Sequence, residues 1–371
     1  MNSENAGVSN APQKPSYITQ PGEPITQEEI EYYLTLCKNN LTKERTGHEM
    51  TQETVDRFRK FLEADDGKPF WMINLVREQK EPVYPDWWEG DREPTLMDCK
   101  VHYLKACAPI SKKGGTQNGF GVSLVGDYVL TDDESLEPWD QFYLIGYPCR
   151  KSFMMLLTSD AYADAIVHKY AGDKDTQLIP VTGLDIEVKK VYEDHEPMTQ
   201  EQVDDYIARC KANLTPERSG HGINDETLAR IRKFLEEDDG KPFWMINLVR
   251  ENDEPMYPEW WEGERKETVL ECKQAYAMAC APIMMKSGSY PIIHVCKAES
   301  AVLTDDEDME DWDQFYLVSY PSRESFISLL ASDPYADAIV HKHAGDKNTQ
   351  LIPVTTNEII TPHINTDVVF T

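Results

Sequence analysis

The sequence predicts an α+β chain built from two copies of one domain, each a β-α-β-β-α-β unit behind a short helical preface. Three observations carry this. Thr26–Thr182 aligns without a gap on Thr199–Thr355, 173 residues further on, with roughly three-fifths of the positions identical. Within each copy, short runs of β-forming residues alternate with longer helical runs. The strand runs "FWMINLV" and "FYLIGY" are apolar on both alternating faces, so each sheet needs cover on both sides.

The prefaces come first. "TQEEIEYYLTLCKNN" and "TQEQVDDYIARCKAN" each open on a Thr able to cap a helix, with a Glu two places on. After "ERTGH" or "ERSGH" a second helix follows, "TQETVDRFRKFLEADDG" or "NDETLARIRKFLEEDDG", which Gly67 or Gly240 is expected to close. Next comes the buried strand Pro69–Val76 and a Trp-rich loop, "YPDWWEG". A helix is predicted from about Thr95 to Lys113, then a strand in "GVSLVGDYVL" and an acidic turn. "WDQFYLIGYP" reads as a strand, a helix starts at Arg150, and "TQLIPV" closes the unit. This order is the ferredoxin-like arrangement. A four-stranded sheet with both helices on one face leaves its other face bare, and a twin sheet covers it, giving a barrel-like core within one chain.

The chain divides into a polar lead-in (1–24), a first repeat (25–182), a linker (183–198), a second repeat (199–355) and a tail (356–371). The prefaces occupy 25–67 and 199–240, and the α/β units 68–182 and 241–355. The lead-in reads as disordered and lacks the charged and apolar regions of a secretion signal. A cytoplasmic location with reduced core thiols is therefore expected for the eight cysteines, none of which sits in a CxxC spacing. No apolar run approaches the roughly 20 residues of a membrane span. A net charge of −29 opposes nucleic acids and anionic membranes as partners. Walker, GxGxxG, GxSxG and HExxH motifs do not occur in a fitting context, which argues against nucleotide-dependent and serine-hydrolase chemistry.

"MINLVR" (Met72–Arg77), "WDQFYLIGYPCR" with its counterpart "WDQFYLVSYPSR", and "HKxAGD" after the last helix resemble the dimeric α/β-barrel superfamily. The group most similar is one of small bacterial domains of unknown function. The resemblance covers about Pro69–Val181 and Pro242–Val354, outside the prefaces. Such members carry one domain per chain and pair two chains, so here the pair looks fused. The resemblance implies a cofactor-independent enzyme acting on a small organic molecule by proton transfer, cyclisation or oxygenation, with a pocket between sheet and helices in each repeat. It also implies an alternative, a haem-binding protein using His168 or His341 as axial ligand. A third reading, a non-catalytic ligand-binding or assembly protein, rests on the helical prefaces, which lie outside the resemblance and offer surfaces for a partner. No cofactor is expected on the first reading, and further association of chains is left open.

The candidate catalytic residues are Asp164 with His168 and Asp337 with His341, each pair four apart on one helix, where a carboxylate can orient an imidazole. In the second helix Asp333 is expected as cap, Pro334 in the first turn and Gly345 at the C-terminal end. An ordinary surface Asp–His pair near a helix C-terminus is the competing account. Asn74 and Asn247, polar within apolar strands, and Arg77 and Arg250 at the strand ends are candidates to hold a carbonyl or carboxylate. Trp87, Trp88, Trp260 and Trp261 are candidates for a lid or stacking wall. No metal site is expected, because His102, His294 and His343 lack counterparts in the other copy and a symmetric site cannot depend on them.

Overall fold

The computed structural model describes residues 23–48, 50–123, 129–131, 137–182, 194–220, 222–304 and 311–355. Nearly all of the lead-in, residues 183–193 of the linker and the tail lie outside the described residues, as does the acidic turn at 132–136. In the first repeat the elements are α1 (Gln27–Asn40), α2 (Lys43–Thr46), α3 (Gln52–Glu63), β1 (Phe70–Glu78), α4 (Leu96–Lys113), β2 (Gln117–Ser123), β3 (Leu130–Thr131), β4 (Gln141–Tyr147), α5 (Arg150–Leu157), α6 (Asp160–Gly172) and β5 (Asp173–Val181). In the second they are α7 (Gln200–Asn213), α8 (Pro216–Ser219), α9 (Asp225–Glu236), β6 (Phe243–Glu251), α10 (Val269–Ser287), β7 (Tyr290–Lys297), β8 (Leu303–Thr304), β9 (Gln314–Tyr320), α11 (Arg323–Leu330), α12 (Asp333–Gly345) and β10 (Asp346–Thr355). The α+β, ferredoxin-like order expected from the sequence is present in both copies. The single helix expected from Arg150 is two, broken at Thr158, and a short strand (β3 or β8) is added to each copy.

The chain forms two compact units. One comprises the helices of the first repeat, from residues up to Pro69, Gln79–Gln117 and Tyr147–Gly172. Here α1 and α3 pack Ile30, Tyr33, Leu34 and Cys37 with Val55, Phe58, Phe61 and Leu62, all buried. The cap of α1 is a complete capping box. Thr26 Oγ1 accepts from the Glu29 amide and Glu29 accepts from the Thr26 amide at 2.8 Å, so the reciprocal partner is the residue three places on. Helix α3 ends at Glu63, three residues short of the expected glycine cap; Gly67 adopts a φ of 73° in the turn beyond it.

The other unit holds both sheets and the helices of the second repeat. The sheets have strand orders β2-β4-β1-β5-β8 and β3-β10-β6-β9-β7. Each therefore takes its last strand from the other repeat: β8 pairs antiparallel with β5 (Gln177 with Thr304, Leu178 with Leu303), and β3 with β10 (Gln350 with Thr131, Leu351 with Leu130). The two sheets close on one apolar core, in which Ile73, Leu75, Phe142, Leu144 and Ile179 meet Ile246, Leu248, Phe315, Leu317 and Ile352. Phe142 and Phe315 stack at its centre, 5.7 Å between rings. This is the fold of a dimeric α/β barrel, closed within one chain. It answers in part why both faces of the strands are apolar: in each sheet one face meets the other sheet, and in the second repeat the other face meets α11 and α12. Gly240, with φ 72°, has no room for a side chain, because a Cβ there would lie 1.9 Å from the His195 carbonyl oxygen.

Candidate ligand cavity and the tyrosine–histidine pairs

In the second repeat a cavity of about 390 Å³ lies between the sheet and its helices. Met245 and Asn247 on β6, Tyr316 and Tyr320 on β9 and Thr349 and Leu351 on β10 form its floor, with Leu130 and Thr131 of β3 at one edge. Helices α10, α11 and α12 contribute Tyr276, Phe326, Tyr335, Ile339 and Lys342. Burial pushes the phenol pKa values of Tyr276, Tyr316 and Tyr320 above their ordinary range, so these hydroxyls stay protonated at neutral pH. Lys342 is itself buried. Its ammonium donates to Thr349 Oγ1 at 2.5 Å and lies 3.0 Å from Asp346, whose other oxygen is 3.6 Å from Lys273. Asn247 donates its amide N–H to the Met245 carbonyl at 3.0 Å, which fixes the plane of the amide where it meets the cavity.

The predicted site residues are distributed differently from the expectation. Asn247 lines this cavity; His341, Asp337, Arg250, Trp260 and Trp261 do not line it. The Asp–His pairs are a correction. Asp164 is taken by Arg45 of the preface, at 2.7 Å and 2.9 Å, and Asp337 by Arg218 at 2.6 Å. Both carboxylates are largely exposed, so these ion pairs are worth at most about 1 kcal/mol each. Their effect is to fasten α2 to α6 and α8 to α12, and a full cationic partner outcompetes an imidazole four residues away.

The partner of each imidazole is instead a loop tyrosine. Tyr84 Oη lies 2.8 Å from His168 Nδ1, and Tyr257 Oη lies 2.7 Å from His341 Nδ1. Each hydroxyl also accepts a backbone N–H, from Glu93 or Lys266, and approaches a cysteine sulfur, Cys99 or Cys272, at 3.5 Å or 3.4 Å. The repeated glycine explains the setting. A Cβ at Gly345 would meet Cys272 Cβ at 3.2 Å, and one at Gly172 would meet Cys99 Cβ at 3.4 Å, so this glycine lets α12 approach α10, and α6 approach α4. Gly345 is thus the last residue of α12 rather than its cap: Asp346 is the C-cap, its amide donating to the Lys342 carbonyl, and at the N-terminus Ser332 rather than Asp333 accepts from the Tyr335 amide.

Arg77 is also a correction. It is buried, stacks over Trp139 at 3.9 Å and donates to the Glu137 carbonyl at 2.9 Å and 3.1 Å and to Asp175 at 3.3 Å. Arg250 stacks over Trp312 at 4.1 Å and donates to the Asp311 carbonyl at 3.3 Å. Both are committed to the barrel rather than to a ligand. Asn74 donates to the Met72 carbonyl at 3.2 Å. Trp88 packs edge-on to His168, 5.8 Å between rings, while Trp87 and Trp260 are exposed. The tyrosines, Lys342 and Asp346 escaped the sequence reading. Their recurrence in both copies as Tyr103, Tyr143, Tyr147, Tyr162, Lys169 and Asp173 was the available signal.

Haem does not fit these imidazoles. His168 is 3% exposed, with Tyr84 on Nδ1, Trp88 at its edge and the His102 ring stacked on its face at 3.8 Å. His341 is held by Tyr257 and flanked by Lys266. An axial ligand needs an open face for the macrocycle.

Burial, and then the Lys266 charge, lower the His341 pKa below the ordinary 6.5. The folded state therefore binds its proton less readily than the unfolded chain. The pair costs nothing above 6.5, and stability is lost as pH falls through and below that value. We expect wild type to lose more stability than His341→Gln between about pH 7.5 and about pH 5 in urea titrations; equal losses would contradict the assignment.

No protein-family profile matches the chain, and no curated protein is a significant match. Among solved structures it is similar to a protein of unknown function from Rhodopseudomonas palustris, at 24% identity, covering 36% of this chain and 95% of that one, TM-score 0.31. It is also similar to chlorite dismutase from Candidatus Nitrospira defluvii in complex with imidazole, at 10% identity, covering 77% of this chain and 91% of that one, TM-score 0.35. The fold itself is read from the strand orders above. Among the described residues, no helix is long and apolar enough to cross a membrane.

Proposed function

We propose that the protein binds a compact, uncharged aromatic carbonyl compound in the cavity between β6, β9, β10 and the helices of the second repeat. The observation that carries this is the lining. A volume of about 390 Å³ falls in the range of small-molecule sites, and the walls set tyrosine, phenylalanine, leucine and isoleucine side chains beside polar ones such as Asn247, Lys342, Asp346 and Thr349. Those polar groups favour a neutral ligand. The phenols of Tyr276, Tyr316 and Tyr320 remain O–H donors, which suits a carbonyl acceptor. The Lys342 charge is matched by Asp346, so this buried pair offers neither an anion nor a cation an uncompensated partner; besides the tyrosines, His343 and Lys347 are the other ionisable side chains of the lining. The proton-transfer chemistry expected from the sequence relied on His341, which does not line the cavity, so the proposal is binding rather than catalysis. The reading of the chain as a fused pair is supported by strands β3 and β8, each of which pairs with a strand of the other repeat.

The test is a methyl-resolved NMR titration of the full chain with acetophenone, benzoate and benzylamine. Acetophenone is expected to shift the Ile339 and Leu351 methyls saturably, with the two ions at least about tenfold weaker, a difference of about 1.4 kcal/mol. Benzoate or benzylamine binding as tightly as acetophenone, or no saturable shift with any of the three, would overturn the proposal.

A further inference from the structure

The structure assigns a divalent transition-metal site to Glu93, His102 and His168, present in the first repeat and dismantled in the second. One ligand atom from each of these three side chains lies within 4.8 Å of the others. They come from three segments: the loop before α4, the first turns of α4, and α6. His102 Nδ1 is 2.7 Å from Glu93 Oε1, and the His102 ring lies against that of His168. Two imidazoles and a carboxylate suit borderline ions such as Zn²⁺ or Co²⁺ and leave positions open for water or a ligand; hard oxygen-seeking ions are a poor match.

The surroundings prepare the innermost ligand. A metal on His168 Nε2 requires the proton on Nδ1, where Tyr84 Oη stands 2.8 Å away. For Tyr84 to accept that proton its own O–H must point elsewhere, and Cys99 Sγ at 3.5 Å offers the acceptor. This hydroxyl also accepts the amide N–H of Glu93, so one tyrosine ties the orientation of one ligand to the backbone of another. The stacked rings cannot both direct lone pairs at one ion. His102 is the ring that turns, because its side chain is 41% exposed whereas His168 is enclosed.

The second repeat supplies an internal control. Tyr257, Cys272 and His341 keep the same geometry, yet Glu93 is replaced by Lys266 and His102 by Ala275. Lys266 pairs with Glu264 at 2.7 Å and opposes protonation of His341. A fixed ammonium thus stands where the first repeat would admit a cation. A chain of net charge −29 also attracts divalent ions diffusely, so specificity has to be shown by substitution.

The experiment titrates chelator-stripped full-length protein with Co²⁺, following its visible absorption and the displacement of bound Co²⁺ by Zn²⁺. One ion per chain is expected. His102→Ala and Glu93→Gln, both at half-buried positions compatible with folding, should each weaken binding at least about tenfold, while His341→Ala leaves it unchanged. The proposal is overturned if no saturable Co²⁺ spectrum appears, or if both His102→Ala and Glu93→Gln bind as wild type does.

Discussion

Phe315→Ala is expected to destabilise the unit that holds both sheets by about 3–5 kcal/mol. Phe315 is fully buried, stacks on Phe142 and sits where the β9 surface meets strands of the other repeat. Its removal opens a void in a core that neither sheet can refill alone. The loss should appear as a lower urea midpoint in which the strands of both repeats unfold together. A variant that melts only the second repeat, leaving the first repeat's strands at the wild-type midpoint, would contradict a shared core.

Lys342→Met is the second large effect, with a cost of about 3 kcal/mol. Both Lys342 and Asp346 are buried, and the substitution leaves the Asp346 carboxylate with Lys273 at 3.6 Å as its remaining cation. Loss of the partner is more damaging than loss of the pair, because the uncompensated charge remains in a poorly solvated place. The double variant Lys342→Met, Asp346→Asn should therefore recover much of the stability. A double variant no more stable than Lys342→Met alone would show that packing of the lysine stem, rather than charge balance, holds this end of the cavity.

Much of the fold was legible because the duplication supplies each reading twice. Strands apolar on both faces have few architectures open to them, and a twin sheet satisfies the demand directly. The exchanged strands were not legible. Leu130–Thr131 and Leu303–Thr304 are two residues long, and what makes them strands is an edge presented by the other repeat. Helix spacing placed Asp164 and His168 one turn apart correctly, but spacing cannot register Arg45, 119 residues earlier, which claims the carboxylate. Likewise Tyr84 reaches His168 across 84 residues, through a loop whose tryptophans drew attention first. Asn247 was recognisable because an amide in an apolar strand must face something polar or open. The tyrosines around it read as ordinary strand and helix residues, since Tyr is common in both and only the tertiary fold gathers them.

The cavity of the second repeat is the feature on which the proposed binding function rests. Crystals of the full chain soaked with 4-bromoacetophenone report on it directly, because bromine scatters anomalously and needs no interpretation of weak density. A bromine peak is expected within the cavity lined by Asn247, Tyr316 and Ile339. A cavity filled by its own side chains, or bromine found only on the outer surface, would contradict the proposed binding.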